Sequence, residues 1–297
     1  MTSNIRQQSN YILQGLYNRF LELVIYPSVW VASAIASLGM YVQIVLGLEA
    51  DWRPILFIFF TALIPYNLDR IFDSYVQIIP DEKAQLFFRQ PYILVLLFLA
   101  IASTILLLSD APQNVRYASI PGIVPLLYGA PVFPFKQEQW QWYRLKDIPG
   151  SKAWIVGLTL TYASVALPLA YAGAKFNFSA ALTTLFLFVF IVTNSHLFDI
   201  RDLESDRQKG VITLPITVGV KGTKLLLGTM NLLAMLTVII LSNGTVSDRP
   251  EIILATAINL FCIALVDFNT PRWVYGIILD GCLFVPLAAK WAIEFMI

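Results

Sequence analysis

The sequence predicts an all-α fold: a polytopic membrane helical bundle, with about nine transmembrane helices around a central cavity. Three observations point to it. Of the 297 residues, 58% are hydrophobic and 13% charged, with a mean hydropathy of +0.70. Soluble domains carry about 45–50% apolar and about 25% charged residues. The apolar residues fall in runs near the roughly 20 that a helix needs to cross a bilayer. The remaining charges gather at the ends of those runs. A net charge of +1, with no basic stripe, gives no reason to expect nucleic acid as a partner.

Residues 1–11 are polar and lead into no small-residue cleavage site, so no cleavable signal peptide is expected. Over residues 5–24, Ile5, Ile12, Leu16, Phe20 and Leu23 recur near helical spacing, with Arg6, Asn10, Asn18 and Arg19 between them. That pattern predicts an amphipathic helix in the membrane interface, so residues 1–26 are read as an interfacial N-terminal helix of a single domain over 1–297. Spans are expected near 28–48, 54–72, 91–109, 117–134, 152–173, 178–198, 223–241, 250–268 and 272–294. The fourth is interrupted by Pro121, Gly122, Pro125, Gly129, Pro131 and Pro134. Membrane helices tolerate proline where neighbours or water satisfy the freed carbonyls. Cys262 and Cys282 lie in apolar segments and read as small core residues.

Loop charge sets orientation. One side carries Arg6, Arg19, Arg70, Lys83, Arg89, Lys136, Arg144, Lys146, Lys152, Arg201, Arg207, Lys209, Lys221 and Lys224; the other carries Arg53, Arg116, Lys175, Arg249, Arg272 and Lys290. The split of 14 against 6 assigns the first side to the cytoplasm, in a cell inner membrane or a thylakoid membrane.

Both acidic clusters fall on that side. Asp69 and Asp73 stand at i and i+4, one turn apart on one helical face, with Asn67 just upstream. Asp199, Asp202 and Asp206 stand at i, i+3 and i+7, again on one face. Carboxylates near lipid are costly and are a functional-site hypothesis by default. Hard oxygen ligands suit Mg2+, which binds through a few carboxylates plus substrate phosphates. Two such faces across a bundle would hold Mg2+ and a diphosphate, and stabilise the charge that gathers on it as a leaving group. An allylic diphosphate would then ionise, with Tyr, Phe and Trp rings sheltering the cation.

The run Asp199-x-x-Asp202-x-x-x-Asp206-x-x-x-Gly210-x-x-Thr213-Leu214-Pro215 closely resembles the second aspartate-rich motif of the UbiA superfamily of intramembrane prenyltransferases. Asp69-Arg70-x-x-Asp73 resembles the tail of that family's first motif, which usually reads Asn-Asp-x-x-Asp-x-x-x-Asp. The likeness extends across the chain, with motifs after the second and sixth of nine helices. It implies a Mg2+-dependent enzyme that transfers a prenyl group from its diphosphate to an acceptor, usually aromatic. It also implies Asp69, Asp73, Asp199, Asp202 and Asp206 as metal-binding catalytic residues. The departures are specific. Pro65 and Tyr66 stand at the places of the leading Asn and Asp, with Asn67 displaced by two. Phe198 stands where many members have Asn, and Asn194 lies one turn earlier.

The resemblance further implies that Arg144, Lys146 and Lys152 lie in the family's basic diphosphate-contacting loop, Lys146 foremost. Arg207 matches a usual basic position, and Lys209 follows it. Gly210 and Thr213-Leu214-Pro215 are read as shaping the loop, and His196 as packing rather than acting as a base. Tyr66, Tyr128 and Tyr162 are candidates for shielding the cation, against aromatic packing. Asp280, inside the last apolar segment, should face the bundle interior, either orienting an acceptor or pairing with a buried donor. The partners expected are an isoprenyl diphosphate, a lipophilic acceptor and membrane lipids. The alternatives are an intramembrane terpene cyclase, a cation transporter and a degenerate scaffold. Clustering of the acids at one face opposes transport.

Overall fold

The computed structural model describes residues 13–76, 82–128, 133–136, 140–145, 148–208, 210–242 and 249–296. It is a helical bundle with one small hairpin. Helix α1 (Leu13–Ile25) bends by 57° into α2 (Val29–Val45), and α3 (Trp52–Val76) follows. Then come α4 (Glu82–Phe88), α5 (Pro91–Ser109), α6 (Gln113–Ala118) and α7 (Ile123–Tyr128). Strands β1 (Phe133–Lys136) and β2 (Trp140–Tyr143) pair antiparallel, Phe133 opposite Tyr143. The second half contains α8 (Lys152–Tyr171), α9 (Phe178–Arg201), α10 (Leu203–Gln208), α11 (Leu214–Leu241) and α12 (Pro250–Leu265). It closes with α13 (Val274–Cys282), bent by 52° against α14 (Val285–Met296).

Five helices are long and apolar enough to cross a membrane, or up to seven if each bent pair is one span; α12 is shorter. Among the described residues, length and composition thus do not confirm the expected count of nine. The fourth expected span, 117–134, is broken. Pro121 and Pro125 lack the N–H that would continue an α-helix. The chain there forms α6, a 3-10 turn over Ile120–Gly122, and α7 before the strands. The interfacial helix is described from Leu13, and residues 1–12 of that expectation lie outside the described residues.

Exposure distinguishes lipid-facing from central helices. In α5 only 11% of the apolar window is buried, and Leu94, Phe98, Ile105 and Leu106 point outward, as suits a helix against lipid. In α9 the share is 61%, which makes it the centre of the bundle. Close approach of α8 to α9 depends on Gly157, because a Cβ there would overlap Val192. Helices α9, α11 and α12 are joined by a buried polar seam. Asn231 Nδ2 donates to Thr193 Oγ1 at 2.7 Å, and Asn259 Nδ2 donates to Asn231 Oδ1 at 2.9 Å and to the Phe190 carbonyl at 3.4 Å.

The α1–α2 corner is held from α3. A helix end leaves carbonyls without intrahelical partners. Arg70 Nη1 donates to the Ile25 and Tyr26 carbonyls at 3.1 and 3.2 Å, and Asn67 Nδ2 donates to the Pro27 carbonyl at 3.0 Å. At the corner itself Ser28 takes a left-handed conformation with φ 61°.

Candidate active site

The C-terminal end of α9 delivers three carboxylates to one lysine. Asp199 is still on α9, Asp202 sits at the break where α9 ends, and Asp206 lies on α10. The backbone keeps helical continuity across the break, since Asp206 N donates to the Asp202 carbonyl at 2.8 Å. Lys152, the first residue of α8, places its Nζ 3.5 Å from Asp199 Oδ1, 3.4 Å from Asp202 Oδ2 and 3.3 Å from Asp206 Oδ2. The loop carrying Lys152 is tied to the following loop, because Gly150 N donates to the Ile212 carbonyl at 2.7 Å.

The three acids are not equivalent. Arg201 forks onto Asp202, with Nε to Oδ1 at 2.7 Å and Nη2 to Oδ2 at 2.9 Å. That guanidinium also lies over the rings of Phe198 and Tyr275, at 4.9 and 5.5 Å. Burial pushes the Asp202 carboxyl up, but the Arg201 hydrogen bonds and charge, with Lys152, overcome it and hold the group down at about 2. Burial likewise pushes Asp206 up, and there Lys152 opposes it without reversing the direction. Asp199 is the most enclosed, 2% exposed, and its Oδ2 meets His196 Nδ1 at 3.2 Å. His196 is buried against the edge of Trp154, 5.2 Å between centroids, and does not line the cavity below. Its place fits a residue that orients Asp199.

These acids open onto a cavity of about 1150 Å³. Its deeper walls are apolar, with Ile35, Phe57, Ile58, Leu108 and Leu167 among them. Asp69 and Tyr66 line it from α3, Tyr128 from α7, Arg144 from the loop before α8, and Asn194 from α9. Tyr128 links the two acidic clusters. Burial first, then the charges of Asp69, Asp199 and Asp206, hold its phenol well above the ordinary value. One ring is therefore within electrostatic reach of both motifs.

Several expected residues stand elsewhere. Asn67 is fully buried and is not among the cavity-lining residues; its Nδ2 donates to the Pro27 and Leu63 carbonyls, and its Oδ1 is buried without a hydrogen-bond partner among the described residues. Asn194 lines the cavity, yet its Nδ2 donates to the Leu279 carbonyl at 2.6 Å, which fixes α13. Tyr162 lines the cavity with its hydroxyl donating to the Ala118 carbonyl at 3.0 Å. Arg207 is exposed, 3.9 Å from Glu204, and outside the cavity lining. Lys146 and Lys209 lie outside the described residues, as does the side chain of Asp73, whose backbone is helical. Arg272, counted above on the far side, lines the same cavity as Arg144, Lys152 and Arg201. Arg70 and Arg201 are cavity residues that sequence reasoning treated only as membrane-edge charges. Their adjacency to Asp69 and Asp202 was the available signal.

Among the described residues, no three His, Cys, Asp or Glu side chains gather tightly enough to enclose a metal ion alone. The donor chemistry nevertheless fits Mg2+. Three carboxylate oxygens already surround one cationic point, and Mg2+ binds through one or two carboxylates completed by water and substrate phosphate.

A family model described as VviA prenyltransferase matches residues 17–285. A UbiA homolog from Archaeoglobus fulgidus bound to GPP and Mg2+ has a TM-score of 0.64 at 15% identity, covering 92% of this chain and 98% of its own. The apo structure of a UbiA homolog from Aeropyrum pernix K1 has a TM-score of 0.60 at 12% identity, covering 90% and 98%. A structure of digeranylgeranylglyceryl phosphate synthase has a TM-score of 0.56 at 17% identity, covering 92% and 96%. At these identities the likeness is one of fold. No curated protein matches the sequence.

Proposed function

We propose, for a chain that belongs to the VviA prenyltransferase family within the UbiA superfamily, a specific use of its cavity. The chain is an integral membrane prenyltransferase. The proposed reaction moves an isoprenoid chain from its diphosphate to a lipophilic acceptor, with Mg2+ assisting ionisation of the allylic C–O bond. The observation that carries this reading is the convergence of Asp199, Asp202 and Asp206 on Lys152, in a cavity whose wall also includes many apolar side chains.

Asp199, Asp202 and Asp206, with Asp69 and Asp73 from α3, hold the metal–diphosphate group. Bound there with its substrate, Mg2+ neutralises the charge that collects on the leaving diphosphate. Lys152 and Arg144 supply positive charge to the same phosphates, as the cavity lining allows. The allylic carbon loses the C–O electron pair to the diphosphate oxygen, and the faces of Tyr66 and Tyr128 stabilise the resulting cation. The apolar wall takes the chain's tail. The Archaeoglobus fulgidus homolog of the same fold is bound to GPP and Mg2+, which supports a prenyl diphosphate and Mg2+ as the ligands proposed here. Loop charge supports a cytoplasmic mouth.

The test is diphosphate release by purified full-length protein in detergent with GPP or farnesyl diphosphate. Release should require Mg2+ and fall about 100-fold or more in Asp202→Ala, the scale of losing an electrostatic group at a developing charge. Asp73→Ala should also reduce it. Release that ignores the metal, or is unchanged in both variants, sinks the enzymatic reading. Product formation only with added acceptor separates transfer from internal cyclisation.

A further inference from the structure

Asp280 is an ionisable residue that the diphosphate clamp does not use. It lies on α13, which contributes nothing to the Lys152 cluster, and it lines the same cavity while being only 8% exposed. Among the described residues its carboxylate makes no hydrogen bond, and no ion pair within 4.0 Å involves it. The charged and titratable groups facing it are Arg70 and Tyr66 from α3 and Arg201 from α9, with Cys282 on its own helix.

A structural counter-ion is the plainer role for such an acid, and both arginines act on it through charge, but among the described residues neither forms an ion pair with it within 4.0 Å. Arg201 has forked onto Asp202 at 2.7 and 2.9 Å, and Arg70 donates to the Ile25 and Tyr26 carbonyls. A buried carboxylate without a hydrogen-bond donor is costly, and one inside a membrane bundle usually marks a substrate path.

The backbone around Asp280 is held from two other helices. Trp30 Nε1 on α2 donates to the Ile277 carbonyl at 2.9 Å, and Asn194 Nδ2 on α9 donates to the Leu279 carbonyl at 2.6 Å. The turn before it, Val274–Leu279, is π-helical, a local widening frequent at functional sites. Gly281 lets the helix lie against Trp30, whose ring atoms would stand 3.2–3.5 Å from an added Cβ. The carboxylate is thus fixed in the cavity wall and left with accepting capacity toward the interior.

We propose that Asp280 is the acceptor-side catalytic residue: it accepts a hydrogen bond from the hydroxyl of a lipophilic alcohol or phenol in the cavity and takes up that proton in transfer. The proposal rests on the transferase reading above. The C–O bond to diphosphate breaks with its electron pair leaving on the diphosphate oxygen. The acceptor oxygen uses a lone pair to form the new bond to the allylic carbon, and its proton passes to the Asp280 carboxylate, from which water removes it. No oxidant or reductant is needed.

The test uses full-length protein in detergent and two probes, 4-hexylphenol and its methyl ether 4-hexylanisole, which differ in one donor proton. Binding is read by tryptophan fluorescence, and diphosphate release from GPP with Mg2+ is measured separately. The parent should bind the phenol at least about tenfold more tightly than the ether, the scale of one buried hydrogen bond to a charged group. Asp280→Asn should bind both probes alike and Asp280→Glu should keep part of the preference. Absence of a phenol preference in the parent, or an undiminished preference in Asp280→Asn, overturns the proposal. If the asparagine variant does not fold, the parent's comparison of phenol and ether and the glutamate variant still decide it. Lack of diphosphate release by the parent defeats the transferase reading instead, so the two failures are separable.

Discussion

The two acidic motifs, one at the end of α3 and one at the end of α9, put similar residues to different uses. At the end of α9 the charged residues gather at the cavity: three carboxylates meet Lys152, Arg201 forks onto Asp202, and His196 backs Asp199. At the end of α3 the polar residues divide. Asp69, Tyr66 and Arg70 line the cavity, but Arg70 also joins Asn67 in fastening the corner between α1 and α2. The departure from the family pattern at Pro65 and Tyr66 thus coincides with a motif that builds architecture as well as chemistry. Displacing the asparagine by two residues moved it from a position expected to offer an oxygen to one where its amide donates to backbone.

The sharpest way to break this comparison is to exchange charge for amide in one motif and truncate the amide in the other. Asp199→Asn should cost about 100-fold or more in diphosphate release. Asn67→Ala should leave release within about tenfold while lowering stability by about 1–3 kcal/mol, the cost of unpaired buried groups. Loss of release in Asn67→Ala at unchanged stability would put Asn67 among the ligands and erase the distinction.

A smaller effect is expected at the lysine. Lys152→Met leaves three mutually repelling carboxylates at the end of α9, so thermal unfolding in EDTA should shift down by several degrees. Added Mg2+ should recover more stability in the variant than in the parent, because metal and ammonium neutralise the same charges. Equal recovery would show that the lysine and the metal act at different places.

The smallest effect concerns pH. The folded Asp202 carboxyl lies near 2, below its ordinary 3.8. Its contribution to stability is therefore complete above 3.8 and is lost as pH falls toward 2. Arg201→Met removes the main partner, so its melting temperature should fall below the parent's at pH 7. The gap should close as pH drops from about 4 toward 2. A gap that persists at low pH would assign the loss to packing over Phe198 and Tyr275 rather than to charge.

Residues on one helix were the legible part of the site. Asp199, Asp202 and Asp206 converge as their spacing implies, even though α9 breaks at Asp202, because backbone continuity carries the face across the break. Partners distant in sequence were not legible: Lys152 reaches acids 47 to 54 residues away, and Asn67 reaches a carbonyl 40 residues back. The fold was legible as a helical membrane bundle, but its span count was not. Hydropathy cannot distinguish a kinked helix from one that proline ends, as over 117–134. The hairpin after α7 did leave a trace. Phe133-Pro134-Phe135-Lys136 and Trp140-Gln141-Trp142-Tyr143 place aromatic residues at alternate positions, a strand period in the stretch that begins at the end of the expected span 117–134.

The amide seam between α9, α11 and α12 has a consequence for biogenesis. Asn231 satisfies one of its donors on Thr193, and only its oxygen remains to receive Asn259. Helix α12 has 16 residues, fewer than a free-standing span requires. Its Asn259 donates to the Phe190 carbonyl of α9 as well as to Asn231 of α11, so its full polar anchor needs both helices in place.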